Sequence, residues 1–116
     1  ALQVLTVQLE QMVQMVNRTK VMVNIHAYEG HPFAEWRVGE CMACGVCVVS
    51  EPLHPEHPYN EDCFVQTENL KGEIERLLEE DNEDERERIA KKAHSWAWRR
   101  HTLDNHMDEF LTMLGV

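Results

Sequence analysis

Long apolar runs are missing from this chain. No uninterrupted stretch approaches the roughly 20 apolar residues that span a bilayer, and no short apolar segment ends in a small-residue cleavage site. A soluble, cytoplasmic protein with no membrane partner is therefore expected. Basic charge is also scarce. Eleven Lys and Arg face 21 Asp and Glu, a formal net charge of −10, so the molecule as a whole repels nucleic acid and anionic membrane surfaces. Any contact with DNA or RNA has to be local. Hydrolytic signatures are absent too: there is no H-E-x-x-H and no H-x-E with a downstream P-C-x-x-C. No internal repeat occurs, and the acidic run "EEDNEDERER" is the sole low-complexity tract. A chain of 116 residues fits one domain, with a small core that gains from an extra staple.

One stretch is dense where the rest is sparse. "GECMACGVCVVSEPLHPEHPYNEDC", residues 39–63, holds all four cysteines, two histidines and three prolines. Disulfides would close only tight loops at the C-x2-C-x2-C spacing and would constrain the unfolded chain weakly. A bound metal in a reducing compartment is the better expectation. Cys41 and Cys44 with Gly45 form a C-x-x-C-G knuckle, in which a tight turn aims two sulfurs at one point and glycine lets the chain turn back. Twelve residues then lead to His57 and five more to Cys63. The expected ligands are Cys41, Cys44, His57 and Cys63, around one tetrahedral zinc, with His54 as substitute for His57.

The series C-x2-C-x12-H-x5-C resembles the spacing of zinc fingers in their Cys-Cys-His-Cys form. In such fingers a helix carries the third and fourth ligands, whereas here Pro52, Pro55 and Pro58 bracket His54 and His57 and forbid a regular helix. Base reading by a finger helix is not implied. "CMACGVCVVSEP" is similar to the cluster-binding run of bacterial ferredoxins across Cys41, Cys44 and Cys47. Glu51 stands where that run has its fourth cysteine, so Cys63 would have to complete an iron–sulfur site, the alternative cofactor. With zinc, Cys47 is a spare apolar residue or a replacement ligand. A catalytic zinc would need an open position and a base such as Glu51, Glu56 or Glu61. Four or more ligands within reach predict a closed, structural site.

Periodicity divides the chain into residues 1–27, 28–64 and 65–116. In the first, Leu2, Leu5, Leu9, Met12 and Val16 fall on one helical stripe, and after Asn17 the segment "KVMVNIHA" also alternates as a strand does. The second is a loop-rich, metal-binding module in which "AEWRV" and "VCVVS" suit the arms of a short β-hairpin. The third recovers a helical period at Leu70, Ile74, Leu77 and Leu78, at Ile89, Ala93, Trp96 and Ala97, and at Leu103, Met107, Phe110, Leu111 and Leu114. The expected fold is mostly α, a helical hairpin or small bundle with an inserted zinc-pinned loop and a short β-hairpin.

Two further groups stand out. His94, His101 and His106 share no single face, so solvated helix histidines are the simple reading, as capping or loop residues are for His26 and His31. "KKAHSWAWRRH", residues 91–101, is the basic and aromatic stretch of an acidic chain. There, helical spacing turns Trp96 toward the core and Lys92, Trp98 and Arg99 away from it. The stretch suits a protein contact or base stacking. Two functional classes follow. The first is a non-enzymatic, zinc-stabilised interaction module acting as adaptor or regulator. The second is a nucleic-acid-processing, nucleic-acid-binding or nucleic-acid-mimicking zinc protein. Val4, Val7, Val13 and Met15 lie off the first helix's stripe, so a protein partner or a homodimer contact through residues 1–16 is expected.

Overall fold

The structure, a computed structural model, describes residues 9–26, 35–100 and 102–115. Helix α1, Leu9–Asn17, ends where the helical stripe weakens. Arg18 N–H donates to Met15 O and Thr19 N–H to Val16 O, and the Thr19 hydroxyl donates to Met15 O at 2.6 Å. These bonds use up the last carbonyls and let the chain extend. Strand β1, Val21–Asn24, follows at once.

Helix α2, Glu35–Ala43, then leads into strand β2, Cys47–Ser50. The two strands pair in parallel, Val21 opposite Cys47 through Asn24 opposite Ser50. Parallel neighbours need a crossover, and α2 lies within it. The short strand β3, Val65–Gln66, adds to β2 in parallel, which gives the order β1-β2-β3. Helices α3 (Leu70–Leu78), α4 (Glu83–Arg100) and α5 (Leu103–Met113) follow, with 3-10 turns at Glu61–Cys63 and Glu80–Asn82.

This mixed α/β architecture corrects the expected helical bundle with a β-hairpin. "VCVVS" is a strand, but its partners lie at residues 21–24 and 65–66 rather than across a tight turn. The described part of "AEWRV" belongs to α2, where Val38 and Met42 are buried four residues apart on one helical face. Five residues with three apolar side chains suit either structure, and the core they land against decides.

The sheet is covered on both sides. Val48 packs with Val38 and Met42 of α2, Val16 of α1 and Ala93 and Ala97 of α4. Cys47 and Val49 point the other way, against Leu77 of α3 and Ile89 of α4. All four β2 residues are buried, as a central parallel strand requires. An ion-paired seam joins α3 and α4, since Arg76 meets Glu85 at 2.7 Å and Glu73 at 3.0 Å. Buried Arg86 donates to Leu77 O at 2.8 Å and so satisfies a terminal carbonyl of α3.

The expected zinc pin is likewise corrected. Residues 54–64 are held by aromatic packing: the His57 and Phe64 rings lie 5.5 Å apart, Tyr59 and Phe64 6.2 Å, and Tyr59 and Trp96 6.0 Å. Tyr59, Cys63 and Phe64 are all buried against α4. Half of the expected partner surface, residues 1–8, lies outside the described residues. In the other half Val16 is core, whereas Val13 and Met15 are exposed. Among the described residues no helix is long and apolar enough to cross a membrane.

Candidate active site at the carboxyl edge of the sheet

The four expected metal ligands fall into separate environments. Cys41 and Cys44 occupy the end of α2, and the C-x-x-C-G sequence that suggests a metal knuckle is a helix stop. Val46 N–H donates to Cys41 O and Gly45 N–H to Met42 O, with Gly45 at φ +74°. This is the Schellman arrangement, in which glycine takes the left-handed conformation just past a helix. His57 has both ring nitrogens engaged. Its Nδ1 accepts from Tyr59 N–H at 3.1 Å, so Nε2 carries the proton and donates to Glu61 at 2.9 Å. No lone pair is left for a metal. His54 Nδ1 likewise accepts from Glu56 N–H.

Cys63 is buried under α4, its thiol facing Lys92 O at 3.6 Å. Cys47, needed by the iron–sulfur alternative, lies in the opposite core layer from Cys41 and Cys44. All four are free thiols. Burial, reinforced by Cys44 and Glu40, pushes the Cys41 thiol up to about 11, and burial likewise carries Cys47 to about 11. Burial also raises Cys44 and Cys63. Thiols held protonated are poor nucleophiles. Among the described residues no three Cys, His, Asp or Glu side chains gather as a metal ion requires. The metal-binding expectation is overturned on that geometry. Of the other histidines, His94 packs near Trp98 and His106 lies by Glu109, while His101 is outside the described residues.

A different constellation forms where the three strands end. Because they are parallel, their last residues, Asn24, Ser50 and Gln66, lie in one row across the sheet. Each follows an apolar run, so each places a polar side chain at the same edge. Asn24 Nδ2 donates to Ser50 Oγ at 3.0 Å, and Ser50 Oγ donates to Glu51 O at 2.6 Å. The hydroxyl has one proton, already given to Glu51 O, so the amide must donate and its Oδ1 points elsewhere. Gln66 Oε1 accepts from Leu53 N–H at 2.8 Å and ties the outgoing loop down. The Glu51 carboxylate accepts from His26 N–H at 3.0 Å, and His26 Nε2 donates to Pro52 O at 2.9 Å. His26 Nδ1 is then a bare acceptor.

Two atoms of this edge are buried and have no hydrogen-bond partner among the described residues: Asn24 Oδ1 and His26 Nδ1. Both are acceptors, one on the last residue of β1 and the other two residues beyond it. An unpaired buried acceptor costs about 1–3 kcal/mol, and such groups concentrate where something else completes them. In open α/β sheets ligands bind beyond the carboxyl ends of the strands, which is where these atoms sit. The arrangement therefore suits a ligand that brings hydroxyl donors. Sequence reading passed over Asn24, Ser50 and Gln66 and took His26 for a loop residue. The available signal was the polar residue closing each of "VMVN", "CVVS" and "VQ", which acquires meaning once the strands are known to be parallel neighbours.

A three-stranded parallel sheet between helices, with a polar carboxyl edge, makes this a mixed α/β protein. The chain belongs to the glycosyl transferase-like family, which matches residues 4–112. No curated protein and no solved structure matches it. The family is named for an enzymatic reaction, in contrast to the expectation of a non-enzymatic adaptor.

Proposed function

We propose that this chain takes part in glycosyl transfer and that the carboxyl edge of its sheet grips the sugar of an activated donor. The observation that carries this reading is the pair of buried acceptors, Asn24 Oδ1 and His26 Nδ1, that have no partner among the described residues. A pyranose presents several hydroxyl donors on neighbouring carbons, and two acceptors at and just beyond the end of β1 suit such a set of donors. Both side chains are fixed before the ligand arrives, Asn24 by Ser50 and His26 by Pro52 O. Such preorganisation lowers the entropy lost on binding. Glu51 supplies the carboxylate of the edge and is itself oriented by His26 N–H.

Saturation-transfer NMR of the 116-residue chain with a panel of nucleoside-diphosphate sugars tests the proposal. Sugar-ring protons should saturate for at least one donor. Asn24→Leu and His26→Phe should each remove that saturation, whereas Asn24→Asp, which retains an acceptor, should keep part of it. No saturation with any donor, or saturation indifferent to these substitutions, would overturn the reading.

A further inference from the structure

A second polar place lies away from that edge. The 3-10 turn Glu61–Cys63 runs directly into β3 and packs against α4 at the amino side of that strand. Between turn and helix is an open groove of about 410 Å³, lined by Lys91, Lys92, Ser95, Trp96 and Arg99 of α4 and by Asn60, the residue that caps the turn. It uses one face of the basic and aromatic stretch at residues 91–101, the stretch that glycosyl transfer leaves without a role. Trp98, on another face, donates its indole N–H to Ala43 O.

The charge here is unusual for this protein. Acidic residues outnumber basic ones almost two to one, and Arg76 is consumed by two carboxylates. Among the described residues, however, Lys91, Lys92 and Arg99 form no ion pair with a carboxylate. Arg99 spends one donor, Nε, on Ser95 O at 3.3 Å, and a guanidinium has five. One carboxylate, Asp62, lines the same groove, so three cations face one anion. Trp96 forms part of the wall and is braced edge-on by Tyr59.

We propose that this groove binds a small phosphorylated ligand through Lys91, Lys92 and Arg99, with the Trp96 indole beside it. Charge-assisted hydrogen bonds from lysine and arginine to phosphate are the strong class. The volume lies in the range of small-molecule sites, roughly 300–1,000 Å³. Size and charge both favour a small ligand over a polymer. Screening confines the field a small anion meets to about 8 Å at physiological salt, so it sees the three cations, whereas a long nucleic acid meets the whole acidic surface. The site is independent of the carboxyl edge and stands or falls without it.

Inorganic pyrophosphate titrated into the 15N-labelled chain at constant ionic strength tests the proposal. The amides of Asn60 and Ser95 and the indole N–H of Trp96 should shift saturably. Lys92→Gln and Arg99→Gln, both at exposed positions, should each weaken binding on the order of tenfold, as loss of one charged hydrogen bond implies, while leaving the melting temperature unchanged. Asn24→Leu at the carboxyl edge should leave the affinity as it was. Non-saturating shifts, shifts spread equally to Lys20 and Lys71, or affinity indifferent to both substitutions would overturn the site. Affinity for oligothymidylate that grows with length and exceeds that for pyrophosphate would overturn the small-ligand assignment in favour of nucleic acid.

Discussion

Strand β2 and helix α5 are both rich in apolar residues, yet all four residues of β2 are buried and none of α5 is. β2 lies between two core layers, with Val48 against α2 and α4 and Val49 against α3. α5 holds its shape by local means. Thr102 and Asn105 form a capping box at its start, and Leu103 and Phe110 on its apolar stripe remain 78% and 52% exposed. The same side-chain chemistry thus supports the fold in one place and little beyond its own helix in the other. Hydrophobic stabilisation counts only where apolar area leaves water, so an apolar residue cannot be weighed without its neighbour.

The sharpest way to break this contrast is to truncate one large side chain in each region. Leu77→Ala, opposite β2, should lower the unfolding free energy by about 2–5 kcal/mol through lost contacts and a residual cavity. Phe110→Ala should change it by about 0.5 kcal/mol or less. Urea titrations of both variants read the difference directly, and equal losses would show that α5 carries the fold after all. Next in size is Arg86→Met, which keeps the bulk but leaves Leu77 O without its donor. The expected loss is about 1–3 kcal/mol, measurable in the same titration.

A pH-dependent effect is expected from alkali, again confined to the packed body. Burial lifts Cys41 and Cys47 from the ordinary 9.0 to about 11. The unfolded chain therefore releases these protons first as pH rises. The stabilisation is complete below pH 9 and is lost progressively between 9 and about 11. Urea midpoints should fall over that interval, and a Cys41→Ala/Cys47→Ala variant should flatten the slope. An unchanged slope in the double variant would place the alkaline titration elsewhere. Smallest of all should be the global effect of Thr102→Ala. Loss of the cap costs α5 about 1 kcal/mol, so amide exchange at Asn105 and His106 should accelerate while the melting temperature stays put.

Much of the helical structure was legible. The spacing of Met12 and Val16, of Leu70, Ile74 and Leu77, and of Ile89, Ala93 and Ala97 matches helices α1, α3 and α4, and Leu77, Ile89, Ala93 and Ala97 are buried. The acidic run contains a 3-10 turn, Glu80–Asn82, and the solvated first turns of α4. Less legible were the short segments. "VCVVS" reads as a strand in any context, but nothing local says that its neighbours stand at residues 21–24 and 65–66. A hairpin was expected because "AEWRV" and "VCVVS", both with β-branched or aromatic residues, flank the C-x-x-C-G turn. Cysteine spacing misled for a related reason. C-x-x-C-G fits a metal knuckle and a helix ending in glycine equally well, and the hydrogen bonds of Gly45 and Val46 distinguish them.

What the sequence determined by itself was local: helix periods and the acidic balance. Those properties arise from neighbours within a few residues, so they survive in a one-dimensional reading. The tertiary structure decided the rest. It set Asn24, Ser50 and Gln66 in one row, left Asn24 Oδ1 and His26 Nδ1 without partners among the described residues, and turned Lys91, Lys92 and Arg99 into one groove. Parallel pairing joins strands 26 residues apart in the chain. Which polar groups then meet, and which are left unpaired, depends on the register of that pairing, and no local preference encodes it.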